Sequence, residues 1–174
     1  MPALLEVAFR KSLKHGAFER VYYLHGEDDF LKEQAVRELV DAAVDPATRD
    51  FNLDIRAAAE LDAETLGSLL GTPPMMAARR AVVVRDVAAL RKDARAVLDR
   101  YLEDPAADAV LVLVAAASEK AKADKGLETR AATVEFKPLS GDRVPRWISH
   151  HVETVLGATI TSEAVELLQR AVGS

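Results

Sequence analysis

The sequence predicts an α/β fold, a five-stranded parallel sheet with helices on both faces, followed by a small helical module. Strand and helix patterns alternate over residues 21–137, and repeated β-α units imply parallel strands joined by crossover helices. Three of the strand patterns are continuous apolar runs, which is typical of strands covered on both faces. From residue 142 onward only helical periodicity is readable, which indicates a second module.

The elements of the first module follow in order. Apolar and small side chains at helical spacing predict an opening helix over residues 4–13, and Gly16 offers a stop. The five predicted strands cover residues 21–24, 51–56, 81–85, 109–115 and 133–137. Helical patterns between them are clearest over residues 30–43 and 94–102. The highly charged stretch 118–125 is predicted to be a surface segment with short helical turns.

The second module begins near the turn at residues 138–141, so we expect one domain over 1–139 and another over 140–174. Its first helix carries an apolar stripe from Val144 to Val155 that includes Trp147. A second helix starts after Thr161, a residue type that caps helices well. Two short helices cannot enclose a core alone, so we expect residues 140–174 to be an incomplete helical domain.

The composition and net charge of the chain argue against several classes of function. The formal net charge is −5 and no basic block is present, so we expect direct DNA affinity to be weak. Without cysteine there is neither a disulfide framework nor a thiolate zinc site. No signal peptide or membrane-spanning run is readable, which favours a cytoplasmic location without membrane contact. The four histidines form no metal-ligand set.

The most informative stretch runs from residue 72 to residue 80. Its two prolines discourage continuation of the preceding helix, and Met75 and Met76 follow on the stiffened corner. Methionine adapts to foreign surfaces, which suits an anchor that enters a pocket on another chain. Packing of both methionines into their own core is the open alternative.

The first strand-to-helix turn is where phosphate chemistry would lie in a parallel sheet. It reads His25-Gly26-Glu27-Asp28-Asp29-Phe30. A phosphate loop needs several glycines, a lysine and a Ser or Thr for magnesium. The turn does not supply these residues. Consecutive carboxylates would repel a polyphosphate. We therefore expect no nucleotide hydrolysis, no catalytic residue and no bound cofactor or metal.

One alternative function stays open at this point. A phosphoacceptor receiver domain also has five parallel strands, acids after the first strand, an Asp after the third and Lys-Pro after the fifth. The chain offers Asp28, Asp29, Asp86 and Lys137-Pro138 at these places. In that case the acids would hold magnesium and Asp86 would be the nucleophile.

Three blocks together resemble the delta subunit of the bacterial DNA polymerase III clamp loader. They cover residues 23–31 (YLHGEDDFL), 74–84 (PMMAARRAVVV) and 144–148 (VPRWI), in family order. The resemblance runs over the whole sequence but covers only the first module and part of the second. It implies an AAA+-like fold with a degenerate nucleotide site, a helical lid domain, and a C-terminal collar that this sequence lacks.

The resemblance also implies the function and the site. Family members bind the sliding clamp, open or hold open one of its interfaces during replication, and belong to a DNA polymerase holoenzyme without catalysis of their own. A pair of apolar residues before the third strand makes that contact, here Met75 and Met76. Family members usually have an aromatic residue at the second position of this pair, so Met76 departs from the pattern. The implied clamp-binding set is Met75, Met76, Pro74, Leu70, Arg79 and Arg80. Other clamp-loader subunits are the further implied partners.

Overall fold

The structure is a computed structural model, and it describes residues 3–4, 6–116, 123–138 and 143–172. The chain divides into two compact units, Met1–Lys137 and Pro138–Ser174, which are described separately. The predicted surface segment 118–125 lies mostly outside the described residues, as do positions 139–142 of the predicted domain boundary and the last two residues. None of the helices in the described part of the chain has the length and apolarity needed to cross a membrane.

The first unit is built on one sheet in which every pairing is parallel. Its strands are β1 (Ala3–Leu4), β2 (Val21–His25), β3 (Leu53–Ala57), β4 (Arg80–Arg85), β5 (Ala109–Val114) and β6 (Ala132–Glu135). They lie in the order β1-β6-β2-β5-β4-β3. The five predicted strands are therefore confirmed as a parallel sheet. The short β1 extends that sheet by pairing with β6, which the sequence pattern did not predict.

Six helices lie in the described part of the first unit. They are α1 (Glu6–Lys14), α2 (Asp29–Ala43), α3 (Arg49–Asn52), α4 (Ala63–Gly71), α5 (Lys92–Tyr101) and α6 (Lys125–Arg130). Short 3-10 turns occur at Pro46–Thr48, Ala58–Glu60 and Val87–Ala89. Asp28, Asp62 and Asp124 cap α2, α4 and α6 by accepting hydrogen bonds from backbone N–H groups of the first turn.

Both faces of the sheet are covered, as the apolar runs predicted. Successive strand residues point to opposite faces, so Val21 and Tyr23 pack with α4, α5 and α6 in one cluster. On the other face the alternate residue Tyr22 meets Phe9 of α1 in an edge-to-face contact with ring centroids 5.5 Å apart. All six residues of β5, the strand at the centre of the five predicted ones, are buried.

Three predicted boundaries are wrong by two residues. The predicted strand 133–137 ends at Glu135. The predicted strand 51–56 begins only at Leu53, because Phe51 and Asn52 complete a helical turn closed by the Leu53 N–H bonding to the Arg49 carbonyl. The predicted opening helix starts at Glu6 rather than Leu4, because Leu4 pairs with Val134 as a strand residue. At Leu4 a strand pairing distant in sequence overrides the local apolar pattern, whereas at residues 51–52 a local helical turn does so.

The second unit contains α7 (Arg143–Thr154) and α8 (Ser162–Val172). Trp147 stacks on His151 one turn later, with ring centroids 4.7 Å apart. Val165 of α8 is buried and Leu168 is exposed, and Val155, the last residue of the predicted apolar stripe, is also exposed. The two predicted helices are present. Their assignment as an incomplete lid domain stays a prediction.

Candidate functional site

The segment between α4 and β4 forms an exposed corner, residues 72–79. Thr72 is extended with φ −78° and ψ 123°, the conformation that a following proline favours, so α4 ends at Gly71. The side chains of Met75 and Met76 are 52% and 82% exposed. The alternative in which both methionines pack into their own core is therefore excluded.

Asn52 holds the corner from beneath. Its amide is fully buried, and its Oδ1 accepts from the Met75 N–H at 2.7 Å. Its Nδ2 donates to the Met75 carbonyl at 2.9 Å and to the Thr48 carbonyl at 3.0 Å. One side chain thus pairs with both polar groups of the Met75 backbone. Asn52 was not among the predicted site residues, because the apolar pattern around it predicts a strand.

The tip of the corner has an unusual backbone. Met76 has φ 50°, the left-handed region that residues with a Cβ seldom adopt. Such a conformation costs of order 1–3 kcal/mol and persists only where the surroundings determine it. The tip is therefore held in place by its flanks while its side chain stays in solvent.

Arg80 anchors the other end of the corner and corrects a predicted contact. Its side chain is buried, and its guanidinium donates to the Thr72 carbonyl at 2.9 Å and to Asp54 Oδ2 at 2.5 Å. A buried side chain held in this way is not available to acidic residues on a partner. Arg80 is therefore removed from the predicted clamp-binding residues. Leu70 is likewise buried and supports the corner from the core. Arg79 and Pro74 are partly exposed, and the Arg79 guanidinium lies 4.6 Å from the centroid of the Phe18 ring.

The turn after β2 is occupied by the chain itself. A Cβ on Gly26, which has φ +115°, would lie 2.2 Å from the Phe136 carbonyl oxygen, so only glycine fits there. Asp28 Oδ1 accepts from the Leu31 N–H at 2.9 Å and so fills the N-terminus of α2. The acidic turn predicted to exclude phosphate is present, closed against Phe136.

Lys32 is a second residue of interest that was not among the predicted site residues. It stands six positions after Gly26, the spacing of the lysine in a phosphate-binding loop. Its side chain is buried, and its Nζ donates to the Ala115 carbonyl at 2.8 Å and pairs with Asp29 at 2.9 Å. The ammonium group is thus already bound by oxygens of its own chain.

His25 closes the same turn without adding charge. It stacks on Tyr23 with centroids 5.3 Å apart. Burial lowers the pKa of His25 below its ordinary value, against the opposing effect of the Glu135 carboxylate. A neutral imidazole at physiological pH offers no positive charge to a phosphate.

The receiver-type alternative is wrong. In such a domain the acids after the first and third strands meet, because those strands are neighbours. Here β5 lies between β2 and β4, which separates these two strand ends by two inter-strand spacings, roughly 10 Å. Asp86 is exposed, and no group of three or more His, Cys, Asp or Glu residues in the described part of the chain could hold a metal ion.

Comparisons with known proteins agree with this geometry. The family model described as "DNA polymerase III, delta subunit" matches residues 22–137. The DNA polymerase III subunit delta of Bacillus subtilis is 30% identical over an alignment 172 residues long, and the match covers 91% of this chain and 48% of that protein. The chain thus spans about half the length of this relative.

Solved structures show the same fold. The DNA clamp loader delta protein of Bacillus subtilis superimposes with a TM-score of 0.70 at 30% identity, covering 92% of this chain and 50% of that one. A gamma subunit-related protein and a RuvB variant (P216G), both from Thermotoga maritima, give TM-scores of 0.58 and 0.61 at 13% and 14% identity. They cover 86% and 93% of this chain and 51% and 53% of theirs. The fold is of the predicted AAA+-like type, and because the family model matches more than half of the sequence, the chain belongs to the DNA polymerase III delta subunit family.

Proposed function

We propose that this chain binds the sliding clamp of DNA polymerase III through the corner at residues 72–79 and opens or holds open one clamp interface during loading. The observation that carries the proposal is the exposure of Met75 and Met76 on a corner held at both ends. Large apolar side chains displayed by a rigid segment are suited to act as interface anchors. Membership in the delta subunit family supports the same partner.

The surroundings of the corner suit a protein interface. Phe51, the chain neighbour of the anchoring Asn52, is 59% exposed, and we propose that it supplies aromatic area to the same interface. Arg79 supplies a cation that acidic residues at the edge of a partner's pocket would complement. An apolar centre with a charged edge is the usual arrangement of a specific interface.

Opening of a clamp interface needs no covalent step. A ligand shifts a conformational equilibrium only by its differential affinity for the two states. The methionines would therefore fill a pocket that is better formed when the clamp interface is open than when it is closed. The binding free energy of the corner then stabilises the open interface.

Nucleotide hydrolysis is not part of the proposed role. The features that normally hold a triphosphate are engaged internally: Asp28 caps α2, Lys32 bonds to Ala115 and Asp29, and Gly26 is closed on Phe136. We propose that ATP-driven motion comes from other clamp-loader subunits, which with the clamp are the expected partners. We expect DNA contact to be weak, because the net charge is −5, and we expect a cytoplasmic location in the replisome.

The test is the double substitution Met75→Ala/Met76→Ala, with binding to the purified sliding clamp of the source organism measured by surface plasmon resonance. We expect at least about a hundredfold weaker binding, because two anchors of roughly 2 kcal/mol each are removed. The unfolding free energy should change by less than about 1 kcal/mol, because both side chains are exposed.

Val7→Ala is the matched control, because Val7 is an apolar side chain that is 79% exposed on α1. It should leave clamp binding unchanged. Unaltered binding by the double variant, or an equal loss with the control, would overturn the proposed role of the corner.

A further inference from the structure

We infer that Asn52 is the positioning residue of the corner: its amide presets the Met75 backbone in the geometry in which the methionines are presented. The inference rests on the proposed function for its partner and on the hydrogen bonds for its mechanism. Asn52 is fully buried and forms three hydrogen bonds, two of them to Met75 at 2.7 and 2.9 Å. Both protons of its amide are used, one on Met75 and one on Thr48.

The Asn52 amide is well suited to fix an exposed backbone. Proline residues restrain the corner on one side, but nothing about proline fixes the residues that follow Pro74. Asn52 engages the N–H and the carbonyl of Met75 together, which sets the direction in which the chain enters the left-handed Met76. The corner is therefore ordered before any partner arrives.

A corner that is already ordered in the free protein binds the clamp more tightly without making any additional contact. Fixing a backbone residue costs conformational entropy, and a preset corner does not incur this cost on binding. When only a fraction of molecules holds the binding geometry, the dissociation constant rises by the inverse of that fraction. If the corner without Asn52 occupies the geometry about a tenth of the time, binding weakens about tenfold.

The first experiment measures the hydrogen bonds in the free protein. Asn52 is the only asparagine in the sequence, so selective ¹⁵N-asparagine labelling gives a single side-chain NH₂ signal. Because both protons are donated, we expect them to exchange with solvent at least about a hundredfold more slowly than those of free asparagine. Exchange at the free rate would overturn the inference, and this result does not depend on the clamp.

The second experiment is a double-mutant cycle on clamp binding. Asn52→Ala should weaken binding about tenfold in the native background, and by less than about twofold when Met75 and Met76 are already alanine. A residue with a merely structural role would give the same loss in both backgrounds, and such additivity would overturn the inference. A folded Asn52→Ala variant that binds like the unaltered chain would do the same.

Two outcomes separate the inference from the function on which it rests. If Asn52→Ala does not fold, the exchange measurement on the unaltered chain decides. If the unaltered chain fails to bind the clamp while the Asn52 amide exchanges slowly, the proposed function is overturned and the ordering of the Met75 backbone by Asn52 stands. If the unaltered chain binds the clamp and the amide exchanges at the free rate, the inference is overturned and the proposed function stands. Slow exchange of the Asn52 amide, clamp binding by the unaltered chain and a non-additive mutant cycle would together support both the inference and the proposed function.

Discussion

Adjacent arginines in this chain have opposite surroundings. Arg80 is the first residue of β4, and its guanidinium is buried against Asp54 of the neighbouring strand β3. Its Nε is buried without a hydrogen-bond partner among the described residues. Arg79, one position earlier, lies partly exposed over Phe18. A shift of one residue thus separates a side chain that holds the corner from one that a partner can reach.

The two arginines give a matched pair of substitutions. Arg80→Ala should lower the unfolding free energy by about 3 kcal/mol, the lower end of the range for breaking a buried ion pair, because Asp54 keeps some contact with water. Arg79→Ala removes only an exposed cation–π contact and should lower it by about 1 kcal/mol or less. Urea denaturation followed by circular dichroism measures both. Equal losses would contradict the assigned surroundings.

At the scale of the elements, the turn between β2 and α2 is sterically closed at Gly26. Gly26→Ala should destabilise the protein by on the order of 3 kcal/mol or more, because φ is +115° and the new methyl would overlap the Phe136 carbonyl. Thermal and urea unfolding would measure the loss.

Gly16→Ala is the control for this turn. It also places a Cβ at positive φ, +65°, but no described atom lies within 4 Å of that methyl. Its loss should stay at about 1–2 kcal/mol, the cost of the left-handed backbone alone. A similar loss in both variants would show that steric closure at Gly26 contributes nothing.

Elements whose pattern is local could be predicted from the sequence, and those that depend on distant partners could not. The apolar runs of β2, β4 and β5 were found because burial on both faces is written into each segment itself. Asn52 was placed in a strand because its partner Met75 is 23 residues away. The exposure of Met75 and Met76 was likewise undecided, since methionine suits a core and an interface equally.

At the scale of the whole molecule, the engaged turn predicts indifference to nucleotide. A ligand that binds only the folded state stabilises it by RT ln(1 + [L]/Kd), so a competent site would raise the melting temperature as ATP is added. We expect addition of Mg²⁺-ATP to shift the midpoint by less than about 1 °C, within the scatter of repeated scans. A clear, saturable rise would contradict the internal engagement of Lys32 and Asp28.

All strands of the sheet run in one direction, so the segment that enters β4 and the turn that leaves β2 lie at opposite ends of the strands, about 20 Å apart for strands of this length. Perturbations separated by that distance, without shared partners, usually add in free energy. We therefore expect substitutions at the corner and substitutions at the turn after β2 to act independently, so that the corner can change in sequence without a compensating change at the turn.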